Sequence, residues 1–477
     1  MAPSSGPDTG SSDHRTPRWR SPLAWPRGGR WAAAFGFGVT GALVAMVATG
    51  VAGTPQASAR PRSGAASTAS QSHAPQAASA LVSQGKQTFR FDTFGDQPFW
   101  GGVLHLNKAI EGKKHGGVGP GLSPKAALAA GLKVDVTALP ASVIKAIKAG
   151  KVDLTDPATT LALLKLNAVV GVKGIFDRNG SLNSVGIECS LCHSTVDNSF
   201  ARGIGHRLDG WANRDLNVGA IIGLSPNLQP VATLLHTNVP TVHKVLDAWG
   251  PGKFDAELFL DGKGFQPGGR SGSTLIPPAF GLAGVNLHTY TGWGSIPYWN
   301  AFVAVLTMHG KGNFFDPRLD NAKQFPIAAE NHFGHVRVSR DLVTPKLPGL
   351  QAYELSLRAP KPTKGSFSAG MAAAGKKLFN GQAECSTCHV PPTFTEPGEN
   401  LHTGAQIGIG NFEANRSPTH MYRTTPLAGL WTHTKGGFYH DGRFKTLLAV
   451  VQHYNKFFHL GLNRAQENDL VQYLRSI

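Results

Sequence analysis

Cys189-Ser190-Leu191-Cys192-His193 and Cys385-Ser386-Thr387-Cys388-His389 are two Cys-x-x-Cys-His pentapeptides, and between them they use all four cysteines of the 477-residue chain. The spacing specifies covalent attachment of two c-type haems. Each thiol adds to one porphyrin vinyl group, two intervening residues let both sulfurs reach one edge of the ring, and the adjacent imidazole becomes the proximal iron ligand. A thioredoxin-like dithiol, a pair of disulfides and a four-thiolate zinc site use the same cysteines. None of these requires a histidine after each second cysteine, and the two arms lie almost two hundred residues apart. The expected cofactors are therefore two haem c groups, held by Cys189, Cys192, Cys385 and Cys388, with His193 and His389 on iron.

Haem is attached to such apoproteins outside the cytoplasmic membrane, and the N-terminus has the form of an export segment. Arg15, Arg18, Arg20, Arg27 and Arg30 precede an uncharged apolar run from Trp31 to Gly53, and Ala57-Ser58-Ala59 is a small-x-small cleavage candidate. No Arg-Arg pair occurs, so a twin-arginine route is not supported. The run is also long enough to span a bilayer, for which about 20 residues suffice. Residues 1–59 thus read as an export signal or an N-terminal membrane anchor through residues 31–53. Either way the basic lead stays inside and both haem motifs lie in the periplasm or an equivalent extracytoplasmic space.

Hydrophobic residues make up 41% of the chain, with 58 Gly and 32 Pro, which fits a globular protein rich in irregular connections. Arg60 to Gly85 is dominated by Ala, Ser, Gln, Pro and Gly, so residues 60–88 are expected to form a disordered linker. The chain from residue 89 onward exceeds one ordinary core, and two domains are expected, at 89–365 and 366–477. The formal charge of +17 suits steering of an acidic electron-transfer partner or an anionic membrane surface. Its scattered Lys and Arg, without a recognition motif, argue against nucleic acid.

Helical patterning occurs at Ala141 to Ala149 and Ala158 to Val169, with Asp156-Pro157 as a helix start. The stretch from Gly203 to Gly349 shows little amphipathic pattern and is expected to be helices joined by long structured loops. Beyond the two haem motifs, no internal repeat stands out. Toward the C-terminus, Ala372 to Asn380 reads as a helix with Gly375 and Phe379 on one face. Asn463 caps a last helix with Gln466 at its third position, and Leu470, Leu474 and Ile477 form its apolar stripe. This arrangement resembles a class I cytochrome c domain over Ser366 to Ile477, in which an N-terminal helix crosses a C-terminal one at a glycine. The fold expected overall is mainly α, with two cytochrome c-like haem domains and long irregular loops, the N-terminal domain enlarged by insertions.

Arg423-Thr424-Thr425-Pro426-Leu427, then Gly437-Phe438-Tyr439-His440-Asp441-Gly442-Arg443-Phe444, then Val450-Val451-Gln452-His453-Tyr454 resemble the C-terminal signature of the bacterial di-haem cytochrome c peroxidase family. That family includes the di-haem enzyme that matures methylamine dehydrogenase and, more distantly, the di-haem rubber oxygenases. The resemblance places the sixth ligand of the C-terminal haem at Tyr454, as in the maturation enzyme, with His453 as the alternative. Met308, Met371 and Met421 do not fall at that position.

The N-terminal half departs from the peroxidase pattern, and the motif separation is closer to that of rubber oxygenases. The family's catalytic glutamate and inter-haem tryptophan are not placed by spacing. Asp255 and Glu257 are the candidate acids, and Trp211, Trp249, Trp293 and Trp299 the candidate electron-transfer residues. His206, His236, His243 and His309 are the candidate distal histidines, with His206, His309 and Glu257 foremost as catalytic groups. The resemblance implies an exported di-haem oxidoreductase that reduces peroxide with electrons from a small redox partner, a cytochrome or cupredoxin, relayed from the C-terminal to the N-terminal haem. A dioxygen-using oxygenase of the rubber-oxygenase type and a non-enzymatic electron carrier are the alternatives.

Overall fold

The computed structural model describes residues 73–477. The expected export segment 1–59, with its apolar run 31–53, and residues 60–72 lie outside the described residues. No helix among the described residues is long and apolar enough to cross a membrane.

The fold is mainly helical, with six two-stranded sheets among the described residues and many irregular connections. All described residues belong to one compact unit, inside which three apolar cores form. One runs from Trp100 to Ile276 in sequence, and a second, aromatic one draws on Phe89, Trp293, Trp299, Phe302 and Tyr353. The third takes its members only from the C-terminal segment, including Phe379, Val451, Leu470 and Leu474.

The expected linker 60–88 needs correction from residue 73 onward. His73–Phe91 is a 19-residue helix. Its alanine content, which leaves little to bury, is also the composition that costs a helix least. Its last turns carry a narrow stripe of Val82, Gly85 and Phe89, buried or packed against the aromatic core.

That helix crosses Leu347–Ser356 in the same manner as Ala369–Asn380 crosses Arg464–Ser476. At the first crossing a Cβ on Gly85 would lie 1.8 Å from the Gly349 carbonyl oxygen and 2.8 Å from Tyr353 Cβ. At the second, a Cβ on Gly375 would lie 2.1 Å from the Asp469 carbonyl oxygen and 2.9 Å from Tyr473 Cβ. Four residues after each glycine a phenylalanine meets the same tyrosine edge-on. The ring centroids are 5.5 Å apart for Phe89 and Tyr353 and 5.1 Å for Phe379 and Tyr473. The chain therefore contains a duplicated helix crossing, Gly-x-x-x-Phe against x-x-x-Tyr, once in each half. Only glycine lets the backbones approach so closely. Six residues separate Phe379 from Cys385, but a hundred separate Phe89 from Cys189, and the intervening chain builds most of the first core.

The capping expectations hold in detail. Asp156 accepts from the Ala158 amide at the start of Pro157–Lys165, and Asn463 and Gln466 form a reciprocal capping box at the last helix. The 157–165 helix ends earlier than its pattern suggested, because Asn167 turns the chain with φ of 51°.

Candidate functional site

The first motif is one helical turn, Ser190–His193, set between two hairpins: Val172–Phe176 with Leu182–Ile187 before it, and Ser194–Val196 with Arg207–Asp209 after it. Cys189 packs against the aromatic core and Cys192 against the first core. Burial pushes both thiols up, Cys192 to about 12. The His193 amide donates to the Cys189 carbonyl oxygen at 3.3 Å, and the His193 carbonyl oxygen accepts from the Gly210 amide at 2.8 Å.

His193 Nδ1 lies 3.1 Å from the Pro277 carbonyl oxygen, and His389 Nδ1 lies 2.9 Å from the Phe394 carbonyl oxygen. A backbone acceptor at Nδ1 puts the ring proton there and leaves Nε2 with a free lone pair, as a metal-ligating histidine requires. Burial also holds both imidazoles neutral, with His193 lowered to about 4. The two histidines share one tautomer and one kind of support.

The second motif opens onto a cavity of ≈ 650 Å³. Cys385, Cys388 and His389 form part of its wall, and Tyr454, Tyr439 and Arg423 another part. Its size lies in the range of pockets that enclose a cofactor. All four cysteines are free, and they do not assemble into one cluster of ligand atoms among the described residues. The donor set is thus compatible with haem attachment, and the four thiols do not meet at a single four-thiolate zinc site. A different trio, Cys388, Glu396 and His402, places its ligand atoms within 4.8 Å of one another. There Glu396 is already engaged, with His402 Nε2 and Thr424 Oγ1 each at 2.7 Å, and a thioether at Cys388 would remove the sulfur as a ligand.

Tyr454 and His453 point apart from the 447–457 helix they share. Tyr454 lines the cavity, and burial raises its phenol above the ordinary value. His453 Nε2 is bonded to the Ile407 carbonyl oxygen at 2.9 Å, and its ring stacks on Phe457. Tyr454 is the one of the pair whose polar atom can face a group held by His389.

The other candidates scatter. His206 is exposed in a turn, bonded to Asp197 and Ser199. His236 is exposed and pairs with Glu330, while His243 is half-buried on Val239–Trp249. His309 is enclosed, stacked on Phe99 with centroids 3.5 Å apart, and burial lowers it to about 4. Asp255 and Glu257 sit in a buried charge cluster with Asp261, Glu413 and Arg416. The Arg416 guanidinium makes a two-pronged contact with Asp261 at 2.9 and 3.0 Å and reaches Asp255 at 2.8 Å. With four carboxyls to one guanidinium, burial lifts Glu257 to about 7. This cluster joins 255–261 to 413–416, a structural tie between the two halves.

Among the tryptophans, Trp249 belongs to the first core and Trp293 and Trp299 to the aromatic core. Trp211 differs. It stands between Gly210, bonded to His193, and Asn213, whose amide donates to the Cys192 carbonyl. It meets Trp431 edge-on at 5.5 Å and Phe280 at 6.3 Å. Phe280 and Leu430 line the cavity at the second motif. Trp431 was not singled out in the sequence, although it lies between two of the stretches that carry the family resemblance. Glu354 was also missed: it is buried, accepts from Asn300 Nδ2 at 2.9 Å, lies close enough to Cys189 to act on its thiol, and is raised to about 7.

No protein-family model matches the chain, and no curated protein matches it in sequence. Among solved structures, it is similar to a chain of hydrazine synthase from Kuenenia stuttgartiensis, at 16% identity and a TM-score of 0.26, over 43% of this chain and 72% of that one. Similarity at that level carries no inference about fold or function.

Proposed function

We propose that this chain is an exported di-haem c-type cytochrome that reduces peroxide in the manner of the di-haem cytochrome c peroxidases, taking electrons from a small redox partner. The observation that carries the di-haem reading is the duplication. Each Cys-x-x-Cys-His motif is accompanied by a Gly-Phe/Tyr helix crossing and by a proximal histidine whose Nδ1 faces a backbone carbonyl. Bound haem supplies one-electron chemistry and, where an axial position stays open, a place for peroxide or dioxygen.

The residues divide the labour. On the C-terminal side His389 and Tyr454 line one cavity and would both be available to hold the iron of a haem bound there, which would suit a relay. Trp211 and Trp431 are in contact between that cavity wall and the chain following His193, a short aromatic link between the sites. On the N-terminal side His193 is the proximal group, and two buried acids act on Cys189: Glu354, raised by burial to about 7, and the adjacent Glu188, raised by burial to about 8, so both are available to hold a proton.

The test is steady-state hydrogen peroxide consumption by the holoprotein with a reduced c-type cytochrome as donor, in wild type and Trp211→Phe. Turnover in wild type that falls at least tenfold in the variant, with both haems still attached, is the expected result. Wild-type protein that is oxidised and reduced reversibly but consumes no peroxide would replace this proposal with an electron carrier. Dioxygen uptake dependent on added polyisoprene, without peroxide turnover, would replace it with an oxygenase.

A further inference from the structure

Arg423, which lines the C-terminal cavity, and Arg214, which stands behind His433 in its wall, both lack a counter-charge among the described residues. Arg214 is 8% exposed, and its Nε and Nη1 have no hydrogen-bond partner; its Nη2 is held by His433 Nε2, and His433 lines the cavity. Arg423 lines the cavity itself. Its Nη1 donates to the Leu287 carbonyl oxygen at 2.8 Å, while its enclosed Nε is unpartnered. Between them stands Tyr290, fixed by its carbonyl, which accepts the Arg423 amide at 2.9 Å. Its phenol is near enough to both guanidinium groups to act on them electrostatically. No carboxylate among the described residues offsets either charge, and burial lowers both guanidinium groups, Arg423 to about 10, leaving each cationic at neutral pH.

Buried cations are paired in proteins because an uncompensated one loses its hydration with nothing in return. Two other arginines with buried side chains among the described residues obey the rule: Arg416 has Asp255 and Asp261, and Arg207 has Asp135. A planar guanidinium with free N–H groups is shaped for a carboxylate. Arg214 is also anchored to the other motif, since the neighbouring Asn213 donates to the Cys192 carbonyl. The two cations therefore occupy the wall between the haem motifs.

We propose that Arg214 and Arg423, flanking Tyr290, form a carboxylate-binding wall that takes the propionates of the haem held by Cys385 and Cys388. This rests on the di-haem reading and deepens it by fixing which edge of the macrocycle faces the N-terminal half. A soluble dicarboxylate offers the same chemistry and is the other source to separate. Two positive charges against the propionates favour the reduced over the ferric state, so they raise the haem potential.

The experiment is a spectroelectrochemical titration of the holoprotein for wild type, Arg423→Gln, Arg423→Lys and Arg214→Gln, with and without succinate. Haem content of each is first established by a pyridine haemochrome assay. The C-terminal haem potential is expected to shift negative in both Gln variants and to recover in large part in Arg423→Lys, with no effect of succinate. Intact haem content with unshifted potentials in both Gln variants would overturn the propionate assignment and leave the di-haem reading standing. A succinate-dependent shift in wild type that both Gln variants lose would reassign the wall to a soluble dicarboxylate. Wild-type protein without attached haem would overturn both.

Discussion

Replacing Gly375 by alanine should destabilise the protein, although helix propensity alone predicts the opposite. In an exposed helix interior the change gains about 1 kcal/mol. At this crossing the new Cβ would lie 2.1 Å from the Asp469 carbonyl oxygen and 2.5 Å from its carbonyl carbon, whereas ordinary contact begins at 3.4 Å. The obstacle is backbone, so no rotamer change relieves it, and the 369–380 and 464–476 helices would have to part by about 1.3 Å. Overpacking of this kind costs about 1–3 kcal/mol, and loss of the Phe379–Tyr473 contact adds to it. A net loss of about 2 kcal/mol is expected, roughly a 30-fold fall in the folding equilibrium constant. The assay is urea unfolding of the holoprotein followed by far-ultraviolet circular dichroism and by the Soret band. Gly370→Ala, on the same helix with nothing within 4 Å of its new Cβ, is the control and should be neutral or stabilising. Gly85→Ala, where the gap is 1.8 Å, should behave like Gly375→Ala. If Gly375→Ala tracked Gly370→Ala, close backbone approach would be refuted, and the duplicated crossing would lose its physical basis.

Tyr454→Phe should alter the low-spin ferric spectrum and raise the potential of the C-terminal haem, because an oxygen ligand stabilises the ferric state, whereas His453→Ala should leave the spectrum unchanged; the opposite pattern would transfer the axial role to His453. His389→Ala should block reduction by an external donor while leaving the N-terminal iron able to bind cyanide, and His193→Ala should abolish peroxide turnover; full turnover in the His193 variant would reverse the division of labour. Burial raises Glu354 from the usual 4.5 to about 7, so its contribution to stability is complete below pH 4.5 and is lost as pH rises through 7. Glu354→Gln keeps an acceptor for Asn300 and should therefore be more stable than wild type at pH 8, by up to about 3 kcal/mol, with little difference at pH 4.5; equal urea midpoints at pH 8 would show that the carboxyl is not held protonated.

How much of the structure is legible in the sequence depends on how local each signal is. The Asn463 capping box and the Gly375–Phe379 spacing lie within a few residues of their partners, and the structure has both as expected, while the pentapeptides are equally local signals and stand in a form compatible with haem attachment. The first crossing was hidden. Gly85 and Phe89 carry the same spacing as Gly375 and Phe379, but an Ala- and Ser-rich tract precedes them, and their partner helix lies more than two hundred residues away. The distal candidates lie apart from one another for a related reason. Histidine, glutamate and tryptophan are common, and burial and neighbours, invisible in composition, decide their roles: His206 is on the surface, Glu257 is tied into the Arg416 cluster, and Trp211 makes ring contacts with Phe280 and with Trp431 of the C-terminal segment. Arg214 drew no notice and Arg423 entered only as part of a family-like stretch, since an unpaired charge can be recognised only once its surroundings are known.

The most direct test of the account is the intact mass of the denatured protein, produced with a haem-attachment system, followed by peptide mapping. Thioether bonds survive loss of iron ligation. The account predicts a gain of two haem masses, one on the peptide containing Cys189 and Cys192 and one on the peptide containing Cys385 and Cys388. Four unmodified thiols, a Cys–Cys disulfide at either motif, or zinc released in place of haem would contradict it.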